Sequence, residues 1–251
     1  MSFILVTGGT GEVARGILPY LESQFDLHLV ARNPTGTDPR QIRADILDWR
    51  ALAAAMRGAR AVLHLAVAPG HSGIYEDDAF NDQRFDVNVK GTFHVFETAR
   101  RAGVKRVVHV SSLMVVWGYG NQSLVAGDAL PKPVGTYAVT KALSESIARH
   151  YAEAHGMEVI SVRIAAPLDI NDPKCRGQAV RPQQVPFVDV AQAFARALTV
   201  PLDHYEVVTI VGESSKRMWD LEPARRILGY SPRVNLDELG VTFADPFRLE
   251  T

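Results

Sequence analysis

The chain has 251 residues, room for one large α/β domain with at most a small appendage. Its 27 Lys and Arg against 28 Asp and Glu leave a formal charge of −1, so no global field exists for gripping nucleic acid or an anionic membrane. Apolar residues at 47% can bury a core, which excludes disorder, and the single Cys175 excludes a disulfide framework and a Cys-based zinc site.

Short apolar runs at Phe3–Thr7, Leu27–Ala31, Ala61–Ala66 and Val107–Ser111 suit strands of a parallel sheet buried on both faces. Between them lie amphipathic stretches. Trp49–Arg57 spaces Trp49, Leu52, Ala53 and Met56 at helical intervals, and Asn81–Ala102 does the same with Phe85, Val89, Phe93, Phe96 and Ala99. The Phe85–Phe96 stripe reads as core, and Gly103 as the glycine that ends its helix. Thr136–His155 is a further long helix, followed by Gly156 and a strand at Glu158–Val162. This order predicts an α/β fold, a Rossmann-type doubly wound parallel sheet with right-handed crossovers. From Ala165 onward, Pro167, Pro173, Gly177, Pro182 and Pro186 punctuate a loop-like segment. Helical pattern returns at Val188–Thr199, a strand follows at Tyr205–Val211, and short helices are expected near Leu221–Leu228 and Leu236–Leu239. The expected organisation is a nucleotide-binding core over 1–163 and a small lobe over 164–251 completing the same domain. No apolar run reaches the ~18 residues needed to span a bilayer. The start, Met1 to Val6, lacks a basic region and meets Gly8 too soon for a signal peptide, so a soluble cytoplasmic protein is expected.

Thr7-Gly8-Gly9-Thr10-Gly11-Glu12-Val13-Ala14 sits where the first strand meets the first helix. It reads as Gly9-x-Gly11-x-x-Ala14 or as Gly8-x-x-Gly11-x-x-Ala14. Glycines there permit a tight turn and a close approach of pyrophosphate, and the helix N-terminus offers free N–H groups to phosphate. An acidic residue about 20 positions on usually holds the ribose hydroxyls of NAD. Here Arg32 follows the second strand, a cation suited to a 2′-phosphate, while Asp26 lies at the strand's other end. The cofactor is therefore NADP or NAD, with Arg32 favouring NADP. Asp45 and Ile46 suit an adenine contact, although Asp45 could equally cap the next helix. Leu65, Ala66, Val67 and Ala68 bring small residues to the end of the fourth strand.

Tyr137 and Lys141 are four apart and share one helix face. An ammonium beside a phenol favours the phenolate, which makes Tyr137 a candidate proton donor or acceptor at a carbinol or carbonyl oxygen. Ser111 and Ser112 end a strand at the edge where ligands of parallel sheets bind.

Together these parts resemble the extended short-chain dehydrogenase/reductase superfamily, the NAD-dependent epimerase/dehydratase branch. The glycine segment, Asp45-Ile46, His64-Leu65-Ala66, Asn88-Val89-Lys90-Gly91-Thr92, Val110-Ser111-Ser112 with Val116-Trp117-Gly118, Pro186 to Ala191 and Ala224 to Pro232 are all similar to its motifs. The resemblance implies Tyr137 as general acid/base, Lys141 tuning it and binding ribose, Ser112 orienting the substrate oxygen, and Asn88 supporting the lysine through water. Counting back from Gly118 would place Leu113 where Ser112 is expected. Cofactor contacts are implied at Gly8, Thr10, Gly11, Glu12, Val13, Arg32, Asp45, Ile46, Leu65, Ala66, Val67, Ser111, Tyr137, Lys141 and Ile164. A homodimer through the two long helices is a further expectation of the resemblance.

Departures from that pattern narrow the reading. Leu113 and Met114 replace the acidic pair of the dehydratases, which argues against dehydration. Glu12 stands where an aromatic or apolar residue is usual, and points either at solvent or at substrate. Ala165-Ala166-Pro167 replaces a more polar stretch. Arg176 and Arg181 are candidates for holding a substrate carboxylate or phosphate. The histidines show no zinc-ligand spacing, so no metal is expected; His109 reads as a satisfied core residue. The short remainder after Arg163 argues for a compact substrate. The expected activity is hydride transfer to or from a small sugar, sugar acid or related carbonyl or carbinol compound. A nucleotide-sugar epimerase with retained NAD is the rival, and a non-catalytic NAD(P) sensor a third reading.

Overall fold

The computed structural model describes residues 2–68, 76–120, 124–172 and 179–245. Seven parallel strands form the central sheet: β1 (Phe3–Thr7), β2 (Leu27–Ala31), β3 (Gln41–Arg43), β4 (Ala59–His64), β5 (Arg106–Ser112), β6 (Glu158–Ile164) and, after three short strands, β10 (Tyr205–Ile210). The short strands are β7 (Pro167–Leu168), β8 (Ala179–Val180) and β9 (Val185–Pro186). The strand order is β10-β6-β5-β4-β1-β2-β3. Order reverses between β1 and β4, whose carboxyl ends therefore flank a crevice where open α/β sheets bind ligands.

Helices cover both faces, as expected of a doubly wound sheet: α1 (Glu12–Leu21), α2 (Trp49–Met56), α3 (Asp78–Arg84), α4 (Gly91–Arg101), α5 (Thr136–His155), α6 (Phe187–Ala197) and α7 (Glu222–Leu228). Alternation along each strand divides the core. Ile4 and Val6 join Ile17 of α1 and Phe194 of α6 on one face, whereas Leu5 and Val62 join Phe96 of α4 and Ala148 of α5 on the other. Gly16 of α1 permits this packing, because a Cβ there would lie 2.2 Å from the Phe187 ring. The remote β10 completes the sheet beside β6, so the last third of the chain builds part of the core layer as well as the cover over its edge.

Several expectations shift in detail. The fourth strand ends at His64, leaving Leu65 to Ala68 as the free segment beyond it. The stretch read as one helix over 81–102 begins at Asp78 and contains a π-helical turn over Phe85–Lys90. Phe96 is buried, but Phe85 and Phe93 remain 44% and 42% exposed, so they are not core residues. Gly103 ends α4 with a φ of +76°, as expected.

Candidate active site

The glycine turn is built by close backbone approach. Gly8 has a φ of +70°, and a Cβ on it would lie 2.8 Å from the Ala66 backbone. A Cβ on Gly9 would lie 2.6 Å from the Leu29 Cβ. Gly11 donates to the Gly8 carbonyl at 2.9 Å and stands at the N-cap of α1 with no side chain to cap it. The helix N-terminus is thus left open toward the crevice. Arg15 stabilises the turn by donating from Nη1 to the Thr10 carbonyl at 2.6 Å.

Above the turn lies a cavity of about 440 Å³ lined by Gly8, Thr10, Gly11, Glu12, Arg15, Arg32, Asn33, Asp45, Ile46 and Leu65 to Ala68, among others. Ten of the positions implied by the resemblance therefore converge on one cavity: Gly8, Thr10, Gly11, Glu12, Arg32, Asp45, Ile46, Leu65, Ala66 and Val67. The second strand ends in cation, not carboxylate, at this cavity. Asp45 accepts from the Leu47 N–H at 2.9 Å, and the α2 cap is Asp48 instead.

A second cavity of about 290 Å³ shares Leu65 and Val67 with the first. It brings together Ser112, Tyr137 and Lys141, from β5 and α5. Val13, Ser111 and Ile164 line this second cavity and not the first. Its walls are apolar at Leu113, Met114, Trp117 and Ala165 to Pro167, while Arg181, Gln183 and Gln184 close one side. Arg176 lies outside the described residues.

Strand alternation separates the paired serines. Ser111 commits its hydroxyl to Glu145, donating at 2.6 Å. Ser112 caps the 3₁₀ turn Leu113–Tyr119, accepting from the Met114 N–H at 3.2 Å. Leu113, the alternative from counting back, is a 2% exposed apolar residue with no hydroxyl.

Lys141 is 4% exposed and donates to the Val110 carbonyl at 2.7 Å. Burial pulls its ammonium down to about 8, against the opposing pull of Glu145 one turn later. Glu145 makes a paired contact with Arg163, at 2.8 Å and 2.7 Å, and Arg163 also donates to the Ala129 carbonyl. This buried pair, absent from any motif, underpins both serine and lysine.

Asn88 lies on the π-helical turn and lines neither cavity. Its Oδ1 accepts from Ala68 N–H at 2.8 Å and its Nδ2 donates to Thr140 at 3.0 Å. Its carbonyl accepts from the hydroxyls of Thr92 and Ser144, each at 2.6 Å. Asn88 thus ties the end of β4 to the helix that carries Tyr137 and Lys141. His64 bridges Thr7 at 2.7 Å and Thr92 at 3.0 Å. Because Thr92 donates to Asn88, His64 Nε2–H donates to Thr92, and Nδ1 accepts from Thr7. Burial first, then the Lys141 charge, holds His64 down to about 3, so it stays neutral. His109 is only half satisfied: Nδ1 meets Ser161 at 2.9 Å, while buried Nε2 has no hydrogen-bond partner. No group of three or more metal-ligating side chains occurs among the described residues, and no described helix is long and apolar enough to cross a membrane.

A parallel α/β sheet with a glycine turn, an open helix N-terminus and a Ser-Tyr-Lys cavity beside it defines a dinucleotide-binding protein of Rossmann type. The NAD dependent epimerase/dehydratase family model matches residues 4–168, and the chain belongs to that family. An NAD-dependent glucose-6-phosphate dehydrogenase of Haloferax volcanii is 28% identical, covering 94% of each chain. A uronate dehydrogenase of Pseudomonas syringae pv. tomato is 28% identical over 90% of this chain and 78% of its own. Among solved structures, MoeE5 in complex with UDP-glucuronic acid and NAD superposes with a TM-score of 0.78 at 23% identity, covering 96% and 97%; this likeness is one of fold.

Proposed function

We propose that the protein is an NAD(P)-dependent oxidoreductase that transfers a hydride to or from a small sugar, sugar acid or related carbinol or carbonyl compound. The observation that carries this reading is the junction of two cavities, one lined by the glycine turn and the other by Ser112, Tyr137 and Lys141. The glycine cradle fits a dinucleotide, since any Cβ at Gly8 or Gly9 would fill the space between strand ends and turn. Gly8, Thr10, Gly11, the Glu12 main chain, Arg32, Asp45, Ile46 and Leu65 to Val67 would hold it, with Val13, Ser111 and Ile164 along the second cavity. Bound there, the nicotinamide supplies or accepts the hydride.

This chain's own residues handle the proton and the orientation. Tyr137 gives or takes the proton at the substrate oxygen. Lys141 favours its phenolate and offers an ammonium to ribose hydroxyls. Ser112 donates to the same substrate oxygen. Asn88 holds α5 through Thr140 and would support Lys141 through water. Arg181, and Arg176 beyond the described residues, supply cations for a carboxylate or phosphate on the substrate. Arg32 beside Arg15 favours a 2′-phosphate, and hence NADP over NAD. Leu113 and Met114 offer no acid or base for elimination, which favours redox over dehydration. The exposed Phe85 of the π-helical turn, Phe93 of α4, and Val139 and Leu143 of α5 suit a homodimer, and the cytoplasm suits the soluble dehydrogenase this reading implies.

Aldoses, hexuronates and sugar phosphates, each with NAD and with NADP, test the reading by the absorbance of reduced nicotinamide. Net cofactor turnover with one class is expected, with tighter NADP binding. Interconversion of sugar epimers on retained cofactor, without net turnover, would overturn it in favour of an epimerase.

A further inference from the structure

The helix that carries Tyr137 begins without a capping side chain of its own. Gly135 is its N-cap, with a φ of +83°, and contributes no side-chain acceptor. The first N–H groups of such a helix need partners. One comes from a residue 60 positions earlier: Glu76 accepts from the Thr136 N–H at 3.1 Å. Thr136 is the residue immediately before Tyr137. Gly135 makes room for this contact, since a Cβ there would lie 3.0 Å from Glu76 Oε1 and would be strained at that φ.

Glu76 is itself held in place. Its other oxygen lies 3.7 Å from Arg84 Nη1, a guanidinium only 1% exposed. Arg84 stacks its Cζ 4.0 Å over the Phe80 ring and donates to Asn81 at 2.8 Å. Asn81 in turn donates to the Glu76 carbonyl at 3.2 Å, and Asp77 caps α3 beside it. Burial acts to raise the Glu76 carboxyl, but bonds from Thr136 and Asn81 and the charge of Arg84 outweigh it and hold it below its ordinary value. Glu76 is therefore an anion at neutral pH.

We infer that Glu76 is a positioning residue for Tyr137: its carboxylate fixes the first turn of α5 and sets a negative charge against the positive charge of Lys141. The inference rests on the proposed role of Tyr137. Glu76 meets the residue before Tyr137, and Lys141 follows Tyr137 by one turn. Lys141, one turn on, favours the phenolate, and Glu76, at the helix start, favours the phenol. Among the described residues, the charged groups placed near this turn include Arg84 behind Glu76, Arg181 across the cavity, and Glu145 one turn after Lys141. Removing the Glu76 charge leaves the cations unopposed, so the Tyr137 phenol should ionise at lower pH.

The test uses Glu76→Gln, which keeps the acceptor without the charge, and Glu76→Ala, which removes both. Ultraviolet difference titration of the tyrosines, with Tyr137→Phe subtracted, reads the Tyr137 phenol without any substrate. A downward shift of up to about one unit is expected in Glu76→Gln, with unchanged cofactor binding. In Glu76→Ala the Thr136 amide should also exchange hydrogen faster, and kcat should fall on the order of ten-fold with little change in KM. A Tyr137 titration that stays in place in Glu76→Gln overturns the inference, whatever happens to turnover, and Glu76→Gln covers the case in which Glu76→Ala fails to fold. Retained turnover in Tyr137→Phe would instead sink the proposed reaction, and leaves the titration free to judge Glu76 by itself.

Discussion

The two cavities that meet at Leu65 and Val67 are made in different ways. The first is made of backbone: a positive φ, two glycines pressed against Ala66 and Leu29, and strand ends carried to the crevice by β1, β2 and β4. Its side chains decorate a shape that the main chain already has. The second is made of side chains drawn from β5, α5 and the segment around β9, and held by bonds across long stretches of sequence. Glu145 reaches Ser111 and Arg163, and Asn88 reaches Thr140. A backbone cradle fixes a constant ligand, whereas a side-chain assembly can be re-tuned for each substrate.

The comparison is sharpened most by Tyr137→Phe. If the second cavity alone does proton chemistry, turnover should fall by about 10²–10⁴-fold. Cofactor affinity, read by fluorescence titration, should stay within a few-fold of the wild type. A variant that loses both would merge the two cavities into one functional unit.

Lys141 gives the next effect, on stability. Its pKa of about 8 in the fold lies below its ordinary 10.5. Below both values the folded protein bears the full cost of a buried ammonium. Between them the unfolded chain binds more protons, so stability rises with pH through this window. The gain is at most about 3 kcal/mol. Urea denaturation at several pH values should show this rise in the wild type and not in Lys141→Met. A parallel slope in both proteins would show that Lys141 is not the group responsible.

The contrast also explains what could be read from the sequence. The glycine turn, its strand and its helix are contiguous, so the residues that shape the first cavity lie within one short segment. Tyr137 and Lys141 were equally legible, because one helical turn separates them. Glu76, Gln183, Gln184 and Arg163 were not. Glu76 and Arg163 act on partners that the fold brings close and the chain keeps remote, Gln183 and Gln184 join the site only as part of the folded cavity wall, and neither periodicity nor spacing records such a placement. The exposed Phe85 and Phe93 were misread for a related reason. The spacing records that they lie on a helical stripe, but not which edge of that stripe the neighbouring elements cover. The resolution of Ser111 from Ser112 needed the structure too, since adjacent strand residues point to opposite faces.

Gly8→Ala should break the backbone cradle at a smaller cost. The added Cβ meets the Ala66 main chain, which cannot swing aside, and the φ of +70° is strained for any side chain. A destabilisation of about 1–3 kcal/mol and weaker cofactor binding are expected. Gly36 supplies the control, since it has a φ of +69° and open space around its Cβ position. Gly36→Ala should carry the strain alone and leave cofactor binding untouched. Equal effects at the two positions would mean that conformation, and not close approach, is what the cradle needs.

The smallest expected effect falls on Glu12, the one acid that lines the first cavity from the open end of α1. A carboxylate in a first helical turn stabilises the helix, because the N-terminal N–H groups carry partial positive charge. Those same groups are the ones a pyrophosphate would use, so Glu12 competes with the anion it sits beside. Glu12→Gln should therefore act in opposite directions on two measurements. The melting temperature should fall slightly, while cofactor affinity should rise about two- to five-fold at low salt. Added salt should shrink the gain in affinity, since the carboxylate is exposed and its field is screened. An unchanged affinity would place Glu12 in solvent, outside the reach of the phosphates. A weakened affinity would mean that its carboxylate accepts a hydrogen bond from the cofactor, and the first cavity would then depend on a side chain as the second does.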